Sequence, residues 1–378
     1  MSETSRIGAT PTTRLHSLDG LRGVASAIVL IHHVSLIVLP VATGSAGPVW
    51  WLITQSPLSV LFAGHESVIV FFVLSGLVVT LPLMKPSSDL VAYYPSRVLR
   101  LYLPVWGALA LAAALVLIVP RDLAQVADDS WLATTNALSV DPGELLRQAS
   151  LTSAQYDLSN PLWSLRWEML YSLLAPLFMV AARACRRWVW PAGAAAVAIV
   201  LVGQLIGNSY LIYLPPFFIG ALIAVSLPRV LELRTAEHRP STATWAWLLT
   251  GSIALLMLRT LFSPLVEDGE PVAAALSALI PAGAAGVVLC VLAWPGADRL
   301  LARAVPQWLG RISFSLYLIH VPILVTLAFA LGDAAWPAIM LIGVPLCLLA
   351  AEVFERVVEK PSHRLSRSVR RRIVERRH

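Results

Sequence analysis

Ten apolar windows recur along the whole 378-residue chain, near residues 21–41, 63–83, 98–119, 161–181, 188–207, 210–228, 244–262, 272–294, 312–331 and 337–357. A run of about 20 apolar residues is what a helix needs to cross a bilayer. Lipid offers no water to an open backbone, so spanning segments must close their own hydrogen bonds. The pattern predicts an all-α fold, a polytopic transmembrane helical bundle of about ten spans. Charged residues make up only 13% of the chain, against about 25% in soluble domains. No stretch is left over for a separate soluble domain. The division expected is a short cytosolic segment over residues 1–20, one transmembrane domain over 21–358 and a basic cytosolic tail over 359–378.

Charge tests the count and sets the orientation. With ten spans and a cytosolic N-terminus, the inside loops hold Lys85, Arg97 and Arg100, then Arg183, Arg186 and Arg187, then Arg229, Arg234 and Arg239, then Arg299, Arg303 and Arg311. The outside loops hold only Arg121 and Arg147, beside acids such as Asp122, Asp128, Asp141, Glu267 and Asp333. This asymmetry is what the positive-inside rule demands, and it places both termini in the cytosol. The net charge of +6 is concentrated on these loops and on the tail. It reads as attraction to anionic membrane lipids, and no nucleic-acid partner is expected. The long outside loop, 120–160, contains Trp131 and a short helix expected near Gly143 to Ser150, and it could cap the outer mouth. Cys185, Cys290 and Cys347 are widely spaced, so neither a metal site nor a disulfide framework is indicated.

Ionisable groups at membrane depth mark function or a buried partner. In the first span, Ser17 to Pro40, Arg22 and His33 are 11 residues apart, which on a helix is about 20° in angle and about 16 Å in length. Asp19 and Ser26 fall near the same stripe, whereas His32 points elsewhere and is read as structural. The second span carries Phe71, Phe72, Ser75 and Gly76: either small residues let two helices approach, or they let a substrate chain pass. Arg97 and Arg100, one turn apart, are either positive-inside anchors or a clamp for phosphate. In the fourth span, after Asn160 and Pro161 as helix cap, Ser164, Glu168 and Tyr171 share one face. Glu168 needs an interhelical partner, with His33 the candidate. In the ninth span Ser313, Tyr317 and His320 share a face, so three polar stripes converge near the midplane.

These residues resemble, in order, the landmarks of the acyltransferase-3 family of bacterial membrane-bound O-acyltransferases. LDGLRG with Arg22 and His33 looks like its Arg-x10-His signature, followed by FFVLSG (Phe71–Gly76), the Arg97/Arg100 pair, WSLxxE (Trp163–Glu168), FFIG (Phe217–Gly220), SFSLYLIHVP (Ser313–Pro322) and VEKP (Val358–Pro361). The resemblance runs from about residue 14 to 365. Met169 departs from it, standing where many members have a second acid.

The resemblance implies a cytosolic acyl-CoA donor, most commonly acetyl-CoA, and a hydroxyl acceptor on a sugar or related molecule, in a bacterial plasma membrane. The residues fit such chemistry. Arg97 and Arg100 would bind the coenzyme's phosphates, and His33, Glu168, Arg22 and Asp19 are the catalytic candidates. Ser75, Trp163, Ser164, Tyr171, Tyr317 and His320 are substrate-contacting or supporting. With an ordinary pKa of about 6.5, His33 suits a general base, directly or through an acyl-histidine relay. The acceptor is expected to be a cell-envelope or extracellular polysaccharide, with a secreted natural product such as a macrolide as the alternative. The reading from a different class is a proton-coupled transporter using His33, Glu168 and His320 as a relay, though no repeat relates the two halves.

Overall fold

The structure is a computed structural model that describes residues 16–45, 56–153, 155–235 and 240–376. The rest of the expected N-terminal segment, Arg239 and Arg377 lie outside the described residues. Every window of apolar sequence is a helix, and no strand occurs among the described residues. In chain order the helices are α1 (His16–Ser45), α2 (Gly64–Leu83), α3 (Leu90–Ile118), α4 (Leu162–Ala184), α5 (Val189–Ile206), α6 (Ser209–Glu232) and α7 (Thr242–Leu261). They continue with α8 (Ile280–Ala293), preceded by the helical segment Pro271–Ala278, then α9 (Ala304–Leu331), α10 (Trp336–Phe354) and α11 (Lys360–Glu375). Counting Pro271–Ala293 as one span, and α10 with its continuation as another, ten helices are long and apolar enough to cross a membrane.

Several helices extend beyond their apolar windows for local reasons. Asp89 caps α3, its carboxylate accepting from the amides of Val91 and Ala92 at 2.8 and 3.2 Å, so α3 starts eight residues before the expected 98. α1 starts at His16, with Asp19 in the first turn complementing the helix dipole. α9 begins at Ala304 because its polar opening turns are tied to α10: Arg311 reaches Glu352 at 2.8 Å and Glu355 at 3.3 Å, and the Trp308 indole donates to Glu352 at 2.9 Å. The expected turn between α5 and α6 is present. Gly207 adopts φ +67°, and the Asn208 side chain caps α6.

In lipid, helices gain little from burying apolar surface against one another, so association rests on close packing and interhelical hydrogen bonds. Two crossings show it. Gly76 of α2 lies against the Phe217 carbonyl and Gly220 of α6, leaving no room for a Cβ on either glycine. Gly23 of α1 abuts the Gly310 amide, and Gly310 of α9 abuts the Asp19 carbonyl, again with no room for a Cβ.

The interior forms two apolar clusters. One unites α1, α3, α4, α9 and α10 with the 119–161 connection; the other unites α1, α2, α4, α6 and α8, with α9 joining through Tyr317. α1, α4 and α9 contribute to both and so run through the middle. Apolar side chains such as Leu117, Trp190, Trp247, Leu341 and Leu349 remain exposed on the outside, a perimeter that suits lipid and not water.

The tail is more than a solvated basic segment. Beyond α10 a π-helical turn, Glu355–Glu359, leads into α11, which packs along α3, with Ser366 donating to the Ser96 carbonyl at 2.6 Å. Its arginines Arg364, Arg367, Arg371 and Arg372 mix with buried Ser362 and Ser366, so only one face is available to solvent. The short helix expected in the long loop is Pro142–Ala149.

Candidate active site

The site grows from the α1–α9 crossing. Both helices run in the same direction from their glycine contact, and His33 lies ten residues beyond Gly23 as His320 lies ten beyond Gly310. An equal advance of about 15 Å on each helix sets the two imidazoles side by side, with ring centroids 4.8 Å apart and Nε2 of His320 3.2 Å from Nδ1 of His33. Both are buried, at 8% and 1% exposure.

The hydrogen bonds of the pair admit one consistent set of tautomers. Nδ1 of His320 lies 2.8 Å from the Leu316 carbonyl and therefore donates to it, leaving Nε2 as an acceptor. Nδ1 of His33 lies 2.9 Å from the Val29 carbonyl and donates there, sharing its proton with His320. The lone pair of His33 is then on Nε2. The Asn160 side chain lies beside His33, and the Trp131 ring lies against it with centroids 5.6 Å apart. Asn160 was expected to cap α4; Pro161 takes that position instead. His32 is structural as expected, bonded to the Phe62 carbonyl at 2.9 Å where Gly64 packs on its ring.

Toward the other end of the bundle, where α1, α3 and α9 begin, lies a cavity of about 300 Å³. Asp19, Arg22, Ser75, Arg97, Arg100 and Glu168 line it, joined by Arg311, Glu359 and His363 from the ends of α9 to α11. Its far wall is formed by Phe71, Phe72, Ser164 and Tyr317. Neither His33 nor His320 reaches it. The hydroxyls of Ser164 and Tyr317 are 2.6 Å apart, and the Tyr317 ring stands between Phe71 at 5.8 Å and His320 at 6.2 Å. That hydrogen-bonded pair is the partition between cavity and histidines.

Glu168 does not pair with His33. Its Oε1 accepts from Arg97 at 3.1 Å and from Ser75 at 3.3 Å, and Arg97 also donates to the Ser172 hydroxyl at 3.0 Å. α3 passes beside α4 at this depth, so the arginine is the nearer partner. Arg97 is thereby occupied, and the expected Arg97/Arg100 pair is split. Arg100 faces the cavity without a hydrogen bond or ion pair among the described residues, and so does Arg22, about three helical turns below His33. The carboxylates of Glu168 and Glu359 act on Arg100 across the cavity, and Glu359 on Arg22, without a direct hydrogen bond to either guanidinium, so both keep donors available to an anion.

The remaining expected residues divide by face. Ser75 belongs to the cavity, whereas Gly76 serves the close helix crossing. Tyr171 is fully buried, bonded to Thr80 at 2.8 Å and to the Gly76 carbonyl at 3.1 Å and stacked on Phe217, which makes it a support for the α2–α4–α6 junction. Ser313 lines the cavity; Trp163 turns away from it toward His65 and Tyr213. Ser172, Glu359 and His363 had not been singled out. Ser172 lies one turn beyond Glu168 on the same face, and Glu359 sits in the VEKP landmark, its carboxylate held by Ser315 at 2.6 Å.

Comparison with known proteins shows the family. A family model described as an acyltransferase domain matches residues 15–355. The O-acetyltransferase PaAT-1 of Phomopsis amygdali is 26% identical over 381 aligned positions, covering 84% of this chain and 74% of that protein. No solved structure matches.

Proposed function

The chain belongs to the acyltransferase family whose domain matches residues 15–355, and from that premise we propose that it is an integral-membrane O-acyltransferase moving an acetyl group from cytosolic acetyl-CoA to a sugar hydroxyl of a cell-envelope or extracellular polysaccharide. Acetyl is favoured by the similarity to an O-acetyltransferase. The positive-inside asymmetry supports a plasma-membrane protein, bacterial on the motif resemblance, with both termini and the charged cavity on the cytosolic side. The observation that carries the reading is the unpaired Arg22 and Arg100 in a cavity that points at a partitioned histidine pair.

In this mechanism Arg22 and Arg100 hold the coenzyme's phosphates, and the pantetheine arm runs inward past Ser75 and Glu168. Both hydrogen bonds of Glu168 end on Oε1, so Oε2 is left for an amide N–H of the arm. Arg97 is a positioning residue that fixes the carboxylate. The thioester meets His33 when Tyr317 and Phe71 give way. Nε2 of His33 takes the proton of the acceptor hydroxyl, the oxygen bonds to the carbonyl carbon, and the carbon–sulfur bond breaks. The imidazolium returns its proton to the departing thiolate, closing the balance. His320, accepting from Nδ1 of His33, holds the tautomer that leaves Nε2 free, as the orienting acid does in a triad.

The test is acetyl-CoA binding and slow hydrolysis by protein in lipid nanodiscs. Arg22→Ala/Arg100→Ala is expected to raise the Kd for acetyl-CoA by about a hundredfold, two charge-assisted contacts being removed. His33→Ala is expected to keep binding and lose hydrolysis by at least about a hundredfold. Unchanged turnover in correctly folded His33→Ala protein would refute the reading.

A further inference from the structure

Arg97 and Glu168 pair across α3 and α4 at 3.1 Å, and the Tyr93 hydroxyl donates to the Ser172 carbonyl at 2.9 Å, which sets the two helices antiparallel and in register. From Arg97 the helix α3 continues to Ile118, about 31 Å away, whereas α4 begins at Leu162, about 9 Å from Glu168. The 119–161 connection therefore returns about 20 Å along the bundle before α4 can start. Its backbone is held at that depth. The Tyr102 hydroxyl donates to the Ser150 carbonyl and the Trp106 indole to the Ala149 carbonyl, both at 3.0 Å. Irregular backbone inside a membrane is tolerated only where protein or enclosed water surrounds it. Here protein does, with Val126, Leu132, Leu151, Tyr156 and Leu158 buried in the cluster that α1, α3 and α9 share.

Trp131 opens a short helix, Trp131–Thr135, capped by Ser130. Its ring meets His33 with centroids 5.6 Å apart and planes at 61°, coming from the end of the bundle opposite the charged cavity. Interfacial tryptophans sit at headgroup level. Trp131 instead lies beside a residue about 18 Å before the end of α1 at Ser45. The connection is fastened near its edges, where the Ala127 amide donates to Asp333 at 2.6 Å and the Ser159 hydroxyl to the Leu318 carbonyl at 3.3 Å. Within it, Oε1 of Gln148, the Tyr156 hydroxyl and Nε of Arg121 are buried with no hydrogen-bond partner among the described residues. Such atoms cost free energy that contact with water relieves. The connection is therefore the part of this wall that opens most readily.

We infer that the 119–161 connection is a plug over the histidine pair and that Trp131, at its tip, is a positioning residue, its ring holding the His33 imidazole against His320 and closing it to the non-cytosolic side. The inference rests on the reading of His33 as the base in acetyl transfer. It adds that a hydroxyl reaching His33 from the non-cytosolic side does so with Trp131 withdrawn. The ring acts through its shape. Edge-to-face aromatic pairs prefer particular angles, which an aliphatic side chain does not impose. Leucine at 131 therefore fills the space without orienting the imidazole, and phenylalanine does both.

The plug is tested on full-length protein in nanodiscs with diethyl pyrocarbonate, which carbethoxylates accessible imidazoles. Tandem mass spectrometry reads His33 against the exposed His16 as internal clock. The expected result is slow labelling of His33 in the wild type, rising about tenfold in Trp131→Ala, the effect of one lost aromatic contact on the closed population. The His16 rate stays unchanged, and Trp131→Phe keeps His33 slow. In acetyl-CoA hydrolysis, Trp131→Leu lowers kcat by a similar factor with the KM for acetyl-CoA and the melting temperature in place, and Trp131→Phe recovers kcat. Fast labelling of His33 in the wild type, or slow labelling in folded Trp131→Ala, overturns the plug. A Trp131→Leu enzyme as fast as wild type overturns the positioning role, and this variant decides where the alanine protein does not fold. Wild-type protein that shields His33 through Trp131 yet turns over no acetyl-CoA keeps the plug and overturns the transfer reading.

Discussion

The charged cavity and the histidine compartment lie a few side chains apart and are built on opposite principles. In the cavity Arg97 is tied to Glu168 and Arg311 to Glu355, whereas Arg22 and Arg100 share the space with the Glu359 carboxylate and make no direct hydrogen bond or ion pair among the described residues. In the compartment the ring nitrogens that make hydrogen bonds make them to neutral partners: carbonyls and another imidazole. A space left electrostatically incomplete is suited to an anion that arrives. A space satisfied by fixed neutral dipoles is suited to holding one reactive atom in place. The difference argues for donor recognition at one end and proton transfer at the other, with Tyr317 between.

The most damaging way to break this division is at the crossing that aligns it. Replacing Gly310 with valine puts a branched side chain where the Asp19 carbonyl sits, and overpacking of this kind costs about 1–3 kcal/mol. α1 and α9 must part, and His33 then loses its register with His320. Acetyl transfer is expected to fall about a hundredfold even in the fraction that folds, because a displacement of about 1 Å can cost that much. Gly251→Ala, on α7 with open space around it, is the control and should match wild type in melting temperature and rate. Equal rates for the two variants would show that the histidine contact does not depend on the crossing.

A smaller effect sharpens the boundary of the cavity. Arg97 and Glu168 are 14% and 25% exposed, so solvent screens their attraction and breaking it costs less than for a sealed pair. A double-mutant cycle of Arg97→Ala and Glu168→Gln, read by thermal melting, is expected to give a coupling of about 1 kcal/mol. The Kd for acetyl-CoA should rise by less for Arg97→Ala than for Arg100→Ala. The reverse order would return the phosphate role to Arg97 and make Arg100 the bystander.

How much of this was legible in the sequence depends on direction. Depth along a helix could be counted, so His33 and His320 were expected near one level, and the regular rise of 1.5 Å per residue delivered them there. Lateral order could not. Nothing in the spacing says that α3 and not α1 lies beside Glu168, so its carboxylate was assigned to His33 and belongs to Arg97. The helix starts were misjudged where polar turns extend an apolar span, as at Asp89 before α3 and Arg311 in α9, because hydropathy registers lipid contact and not capping or ion pairing. The tail was read from its charge as drawn to anionic lipid; the serines that pack it on α3 carry no such signal.

The mildest change tests the partition itself. Tyr317→Phe keeps the ring, 7% exposed in the wild type, and removes only the hydroxyl bonded to Ser164 at 2.6 Å. One hydrogen bond is worth about 1 kcal/mol, so the closed arrangement becomes about fivefold easier to leave. If that bond holds donor and base apart until an acceptor is present, acetyl-CoA hydrolysis without acceptor should rise by up to that factor, with little change in the Kd for acetyl-CoA. Hydrolysis that falls instead would mean that the Tyr317 hydroxyl takes part in delivering the thioester. The wall would then be a contact surface for the arm, and the two compartments would be joined at that point in the resting protein.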